Sequence, residues 1–301
     1  MAATISTVHI PTVLDPAKSE IFLDGFLGEQ VEYPALFSVS TAGTKTIEKA
    51  SLLPPASYQT GVEGEPIPTS VVAEGNTVTY SMVEQVIGYE VAALALRFID
   101  QPALGSFIRM LGASAARKVN ADCMATITTG FTSTGPDGVP LYSNSHPTET
   151  AAVIDNLGTT ELDNAALEAA MIVGLKMQSP EGLLSPVYYD TLMVAPDRLF
   201  AAEQTVGNLL KHDSGDTFAE NNINVVGRRI KLVIASPDAS DANDWWCFDS
   251  TRSRFNLYWA TMPNPQTWVD MDSGNYKATD RMIYAVGHDN TWRSTFGAQV
   301  A

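Results

Sequence analysis

The hydrophobic pattern changes its period several times along the chain, and those changes divide it. Over residues 1–48 no period is sustained, because Pro11, Pro16 and Pro34, with Gly25, Gly28 and Gly43, interrupt it. About 45 residues without strong periodicity is unusual inside a compact domain. This stretch therefore reads as an arm laid on another surface, with a short helix near Ala17–Leu27. Residues 49–90 take on strand character. Leu52-Leu53-Pro54-Pro55 opens a run holding Val62, Ile67, Val71 and Val72, and Glu74-Gly75-Asn76 reads as a turn. Val78, Tyr80 and Met82 then alternate with Thr77, Thr79 and Ser81, the period-2 signal of a half-buried strand. Two strands about a turn make a long hairpin, which is marginal alone in water and needs a partner surface.

From Ala92 to about Thr128 the pattern turns helical. Phe107, Leu111, Ala115, Val119 and Cys123 recur at i, i+4, and Ile108, Met110, Met124 and Ile127 widen the stripe. Pro102 suits the first turn, where its missing N–H costs little. Further on, Thr160 and Asp163 are N-cap signals for a helix through Leu162, Ala166, Ala169, Ile172 or Val173, and Met177. Leu192–Pro196 reads as a short buried strand, and a helix from Asp197 places Leu199, Ala202, Val206 and Leu210 on one face. Asn224–Val226, Arg229–Ala235, Trp245–Asp249, Phe255–Ala260, Thr267–Asp270 and Tyr276–Val286 read as strands. The class is α+β.

Composition narrows the function more than the fold. The 301 residues carry 18 Lys and Arg against 34 Asp and Glu, a formal net charge of -16. A protein that grips nucleic acid needs a cationic surface to neutralise phosphates, so that class is disfavoured. The charge is also uneven. Residues 1–90 hold Lys18, Lys45 and Lys49 against eleven acids, whereas residues 91–130 hold four basic residues against Asp100 and Asp122. Cys123 and Cys247 have no ligand spacing, which argues against a disulfide framework or a cysteine zinc site. Met-Ala-Ala-Thr-Ile-Ser lacks a signal-peptide pattern, and no apolar run approaches the ~20 residues that span a bilayer. The chain is expected to stay in a reducing cytoplasm.

Catalytic chemistry is thin. His9, His146, His212 and His288 sit in no metal-binding spacing. Ser143 and Ser145 lie near His146, but neighbours this close in an extended segment do not form a triad, and no nucleophile elbow occurs. A soluble hydrolase would have to rest on these residues. The acidic loops Asp213–Asp216 and Asp238–Asp244 lack the helix-loop calcium pattern and read as solvated turns. Neither phosphate-binding glycine motif is present. Trp245-Trp246 and Trp259 read as core or interface anchors. No catalytic, cofactor-binding or metal-ligating residue is assigned.

The most specific segment is Asp137-Gly138-Val139-Pro140-Leu141-Tyr142-Ser143-Asn144-Ser145-His146-Pro147. Gly135-Pro136-Asp137-Gly138 is a turn in which Pro presets φ and Gly supplies φ > 0. Pro147 pushes His146 towards an extended backbone, and its ring is expected to cap a backbone group there. The segment resembles the "DG-x-P/A-L-[FY]-S-x-x-HP" signature of Mu-like major head subunits, tailed-bacteriophage capsid proteins of the Hong Kong 97-type fold. Met177–Pro196, Asp197–Leu210, Asn221–Pro237, Trp245–Phe248 and the "YAVGHDNTWRSTFG" ending are similar to later patterns of that family, in the same order.

The resemblance implies a layout and a function. Residues 1–48 would be the N-arm, 49–90 the E-loop hairpin, and 91–160 the peripheral domain with its long spine helix. Residues 161–251 would form the axial domain, 252–286 the return strands of the peripheral domain, and 287–301 a C-terminal tail on the axial domain. The expected roles are structural: Gly75 and Tyr80 in the hairpin, Phe107 and Leu111 on the helix, and Asp137, Gly138, His146 and Pro147 in the signature. The implied product is an icosahedral virion shell of hexamers and pentamers that encloses double-stranded DNA without sequence-specific binding. Its implied partners are itself, portal and scaffold proteins and a decoration protein; no cofactor and no membrane enter. An encapsulin-like nanocompartment shell shares the fold and is the alternative. Some members of the fold weld subunits through an E-loop lysine. No lysine occurs here between Lys49 and Lys118, so a shell without that crosslink is expected.

Overall fold

The structure, a computed structural model, describes residues 9–52, 60, 64, 74–92, 101–147, 153–179, 182–207, 224–239, 241–253, 255–289 and 291–300. Val62, Ile67, Val71 and Val72, the segment 93–100, Leu210 and the acidic stretch Asp213–Asp216 lie outside these residues. The chain separates into two compact units, each discontinuous in sequence. The first comprises Met1–Ile47, Tyr80–Cys123 and Asn256–Val286, the second Glu48–Thr79, Met124–Phe255 and Gly287–Ala301.

In the first unit, helix α1 (His9–Gly28) is followed by a single turn α2 (Tyr33–Leu36) and strand β1 (Phe37–Thr41). The observed α1 is longer than the short helix the sequence suggested. Pro11 falls in its first turn, where no N–H donor is required, and Pro16 removes one bond without ending the helix. Helix α3 (Gln101–Thr128) is the predicted long helix, with Pro102 as its second residue. Its buried face runs through Ile108, Ala115, Ala116, Val119, Cys123, Met124 and Ile127, while Phe107 and Met110 are exposed and Leu111 is half-buried. Six of the nine predicted stripe residues are thus buried, and the seam departs from prediction at Phe107, Met110 and Leu111, where two glycines shape the packing. A Cβ on Gly112 would lie 2.1 Å from the Phe22 carbonyl oxygen, and one on Gly25 would lie 2.2 Å from that of Arg109. The helices cross backbone to backbone where both side chains are missing, and that close approach fixes the rotation of α3.

Strands β4 (Val83–Val91), β9 (Phe255–Thr261), β10 (Gln266–Val269) and β11 (Tyr276–His288) join β1 in a five-stranded sheet of order β1-β9-β11-β10, with β4 on β11. β4 and β11 are antiparallel from Tyr276↔Val91 to Tyr284↔Val83. Phe26 meets Trp259 edge to face at 6.4 Å, and Trp259 meets Tyr284 at 5.2 Å. Strands β2 (Thr46–Leu52) and β3 (Glu74–Ser81) form a separate two-stranded ribbon. Glu74-Gly75-Asn76, read above as a turn, is the start of β3. Pairing with β2 holds these weak strand formers extended, since strand propensity yields to context.

The second unit is built on a five-stranded sheet of order β5-β12-β8-β6-β7, from β5 (Leu157–Gly158), β6 (Thr191–Val194), β7 (Leu232–Ala235), β8 (Trp245–Phe248) and β12 (Thr295–Ala298). Every residue of β6, β8 and β12 is buried. Helix α4 (Asn164–Leu175) starts at the predicted N-cap, where the Asp163 carboxylate accepts from Ala166 N at 2.6 Å. Its inward face is Ala166, Leu167, Ala170, Met171 and Gly174; of the predicted stripe Ala166 and Met177 are buried, whereas Ala169 and Ile172 are exposed. Gly174 decides the rotation, because a Cβ there would stand 2.9 Å from the Tyr189 ring and from the Val187 carbonyl. Helix α5 (Leu199–Gly207) connects the parallel strands β6 and β7 and buries Ala202, as predicted. Asn224–Val226 is a turn, contrary to the predicted strand. The Asn224 carboxamide accepts from Gly227 N at 2.9 Å, the side-chain-to-backbone bond that competes with extended structure.

Candidate functional site

The signature segment forms the most densely bonded polar cluster of the second unit. Gly135–Gly138 is a turn as expected: Gly138 N donates to Gly135 O at 3.1 Å, and Gly138 adopts φ 85°. Gly135 N donates to Val139 O at 2.7 Å, closing the turn and bringing the Asp137 carboxylate back over the segment that follows. There it meets His146, whose Nδ1 lies 2.8 Å from Asp137 Oδ2. The ring is fully buried and stacks on Trp292 at 4.4 Å and 7°. Its Nε2 faces Leu141 O at 3.2 Å and Asn156 Oδ1 at 3.1 Å. Oxygen atoms therefore face both ring nitrogens.

Asn156 completes the cluster and was not foreseen. Its Oδ1 accepts from Ser143 N at 2.9 Å. Its Nδ2 donates to Leu141 O and Trp292 O, both at 2.9 Å, and approaches Thr295 O at 3.2 Å. One carboxamide thus joins the signature to the segment around β12. Nothing in the sequence separates Asn156 from a solvent-exposed asparagine. Tyr142 adds an apolar lock: a Cβ on Gly130 or on Gly297 would stand 2.7 Å from its ring. Phe131 packs on the same ring at 4.9 Å. Burial raises the Tyr142 hydroxyl well above its usual range.

His288 lies beside the turn, with its Cε1 3.9 Å from where a Gly135 Cβ would stand. Its Nδ1 is buried without a hydrogen-bond partner among the described residues. Burial holds this imidazole below its usual range, against the opposing pull of Asp137 and Asp289. Asp289 is paired with Lys49 of β2 at 2.8 Å.

The remaining candidates scatter. Gly75 is half-buried in β3 and Pro147 is exposed. Tyr80 is buried, accepts from Asn256 Nδ2 at 3.0 Å and meets Tyr258 edge to face at 5.0 Å. Phe107 packs edge to face on Tyr89 at 5.3 Å, and Leu111 lies half-buried on α3. Asp137, Gly138 and His146 are the three that the fold brings together. Ser143 Oγ contacts Ser145 Oγ at 3.1 Å and Ser145 N at 3.2 Å, so it belongs to a local turn. Both cysteines are buried, and burial raises both thiols. Among the described residues no three potential metal ligands converge. In the loop Asp238–Asp244, the Asp244 carboxylate points inward and accepts from Val300 N at 2.9 Å.

The polar cluster joins distant segments of one unit, and comparison with known proteins shows the family to which such a chain belongs. The sequence model for phage capsid proteins matches residues 76–296. The chain belongs to the phage capsid protein family. No protein of curated function matches it in sequence. Solved structures share the capsid fold at low identity. The capsid of cyanophage P-SCSP1u is similar with a TM-score of 0.60 and 11% identity, over 91% of this chain and 89% of that one. A chain of Mycobacterium phage Bobi matches over 99% of both chains, with a TM-score of 0.55 and 15% identity. The virus-like particle from Pyrococcus furiosus has a TM-score of 0.54 and 12% identity, over 94% of this chain and 98% of that one. The signature cluster is thus a joint within a capsid subunit.

Proposed function

We propose that this phage capsid protein is the major head subunit of a tailed double-stranded DNA bacteriophage of the Mu-like group. Its copies assemble as hexamers and pentamers into the icosahedral shell of the virion, in the host bacterial cytoplasm. The observation that carries the reading is the match of residues 76–296 to the capsid family, on a fold shared nearly end to end with a phage capsid. In this reading residues 1–48 are the arm, 49–90 the E-loop, and α3 the spine of the peripheral domain. Residues 161–251 and the tail form the axial domain. The subunit acts by assembly: many modest contacts per copy become effectively irreversible together. With a net charge of -16, the shell encloses DNA without gripping it. Portal, scaffold and decoration proteins are its expected partners.

The shared fold of the Pyrococcus furiosus particle keeps a cellular nanocompartment as the second reading. Negative-stain electron microscopy after size-exclusion chromatography tests both. Closed shells, or rings of five and six, are expected, with DNA or phage proteins as partners in infected cells. Shells that co-purify with an enzyme cargo would favour the compartment, and a chain that stays monomeric at every concentration, with or without phage partners, would overturn both.

A further inference from the structure

In the second unit a cavity of about 360 Å³ opens at the N-terminal ends of β6 and β7. Its apolar wall includes Met171, Leu175 and Val187, and its rim carries four cations in a chain that is otherwise strongly acidic. Two of the four are engaged. Lys231 Nζ lies 3.0 Å from Asp190, and Arg252 donates to Pro186 O at 2.9 Å. Burial pushes the Asp190 carboxyl up, but bonds from Ser250 and Lys231 outweigh it and hold it below its usual range, so the Lys231 partner stays ionised. Arg228 and Arg229, on the turn before β7, are exposed and have no ion-pair partner among the described residues.

The matching shape sits at the other end of the same strands. Asp197 follows the C-terminal end of β6, and Phe200, in the first turn of α5, is 73% exposed. Asp197, in the turn Pro196–Arg198 just before α5, and Glu203 on α5 are exposed carboxylates three residues to either side of Phe200, which falls on the side of α5 away from buried Ala202. Neither carboxylate has an ion-pair partner among the described residues. One aromatic anchor with two acids answers one apolar wall with two free guanidiniums. The four residues of β6 span ~13 Å between the level of the pocket and the start of α5, so a copy presents the two features at different ends.

We propose that the Asp197–Phe200–Glu203 knob of one copy docks into the Arg228–Arg229 pocket of the next. The inference rests on the shell reading and names one contact within it. A knob and a pocket on different surfaces make a heterologous, head-to-tail contact, the geometry that closes into rings. The aromatic anchor supplies desolvated area, and the guanidinium–carboxylate pairs fix orientation. One knob buries far less than the ~1,000 Å² a stable interface needs, so it sets register within a larger contact.

Paired cysteines test the contact. Phe200→Cys and Leu175→Cys placed in one chain should give, on mild oxidation of assembled particles, a reducible ladder of subunit multiples. Each single variant should give none, because Cys123 and Cys247 are buried. Phe200→Asp and Arg228→Glu/Arg229→Glu should each lower the assembled fraction at least tenfold while the purified subunit keeps its circular dichroism. Particles of the double-cysteine chain that form without a ladder, or normal assembly by the charge-reversed pocket, would overturn the knob contact and leave the shell reading standing. A pocket reversal that assembles normally but loses packaged DNA would assign the cations to DNA and overturn the proposal. A parent chain that never assembles would remove the shell reading and the contact with it.

Discussion

Asp137 and His146 are a buried, hydrogen-bonded pair, with side-chain exposures of 6% and 0%. Removing one partner leaves a buried polar group unanswered, a loss of about 1–3 kcal/mol. Asp137→Asn and His146→Ala should each lower the urea midpoint by an amount in that range, and the double variant should cost less than the sum because the two act as one unit. His288 predicts a pH dependence. Its folded pKa lies below the unfolded value of about 6.5. As pH falls through that value the unfolded chain takes up a proton that the folded ring resists, so stability declines towards acid. The fall in urea midpoint from pH 7.5 to 5.5 should be smaller in His288→Gln; an unchanged fall would assign the slope elsewhere. The turn, its glycine and the buried histidine were legible in the sequence because Pro and Gly fix local geometry. Asn156 was not, because its partners, Leu141 O, Trp292 O and Thr295 O, come together only in the fold.

At the scale of elements, periodicity found α3, α4, α5, most strands and most of the buried stripe of α3, but it turned Phe107 and Met110 of α3, and Ala169 and Ile172 of α4, inward when they are exposed. A hydrophobic stripe says which residues can be inside; a glycine at a crossing decides which are. Gly25 and Gly112 predict that alanine at either site forces α1 and α3 apart and costs about 1–3 kcal/mol. Thermal unfolding of each variant and of the pair checks this, with a sub-additive pair expected, since one separation relieves both clashes. The ribbon β2–β3 carries a second test. Tyr80 belongs to the core of the first unit, so only residues 61–73 should be exchanged for a short Gly-Ser linker. The subunit should fold and fail to form shells. Normal shells from this variant would show that residues 61–73 are dispensable for assembly.

At the scale of the molecule, both units are stitched from distant segments, and sequence patterns could not have given that division. The strand nature of residues 295–298 gives no hint of their position in the sheet: β12 lies between β5 and β8, paired to β8 from Thr295↔Phe248 to Ala298↔Trp245. A chain ending at residue 290 lacks a middle strand and two of the three backbone acceptors that Asn156 uses, Trp292 O and Thr295 O. Expressed together with the full chain, it should be absent from purified shells, and its incorporation, seen by mass spectrometry, would contradict this. Residues 295–298 thus complete a sheet whose other strands all precede them in the chain, so the sheet cannot close before they are made. A product that stops short of them leaves β8 with an unpaired edge, a mark of incompleteness that the fold itself exposes.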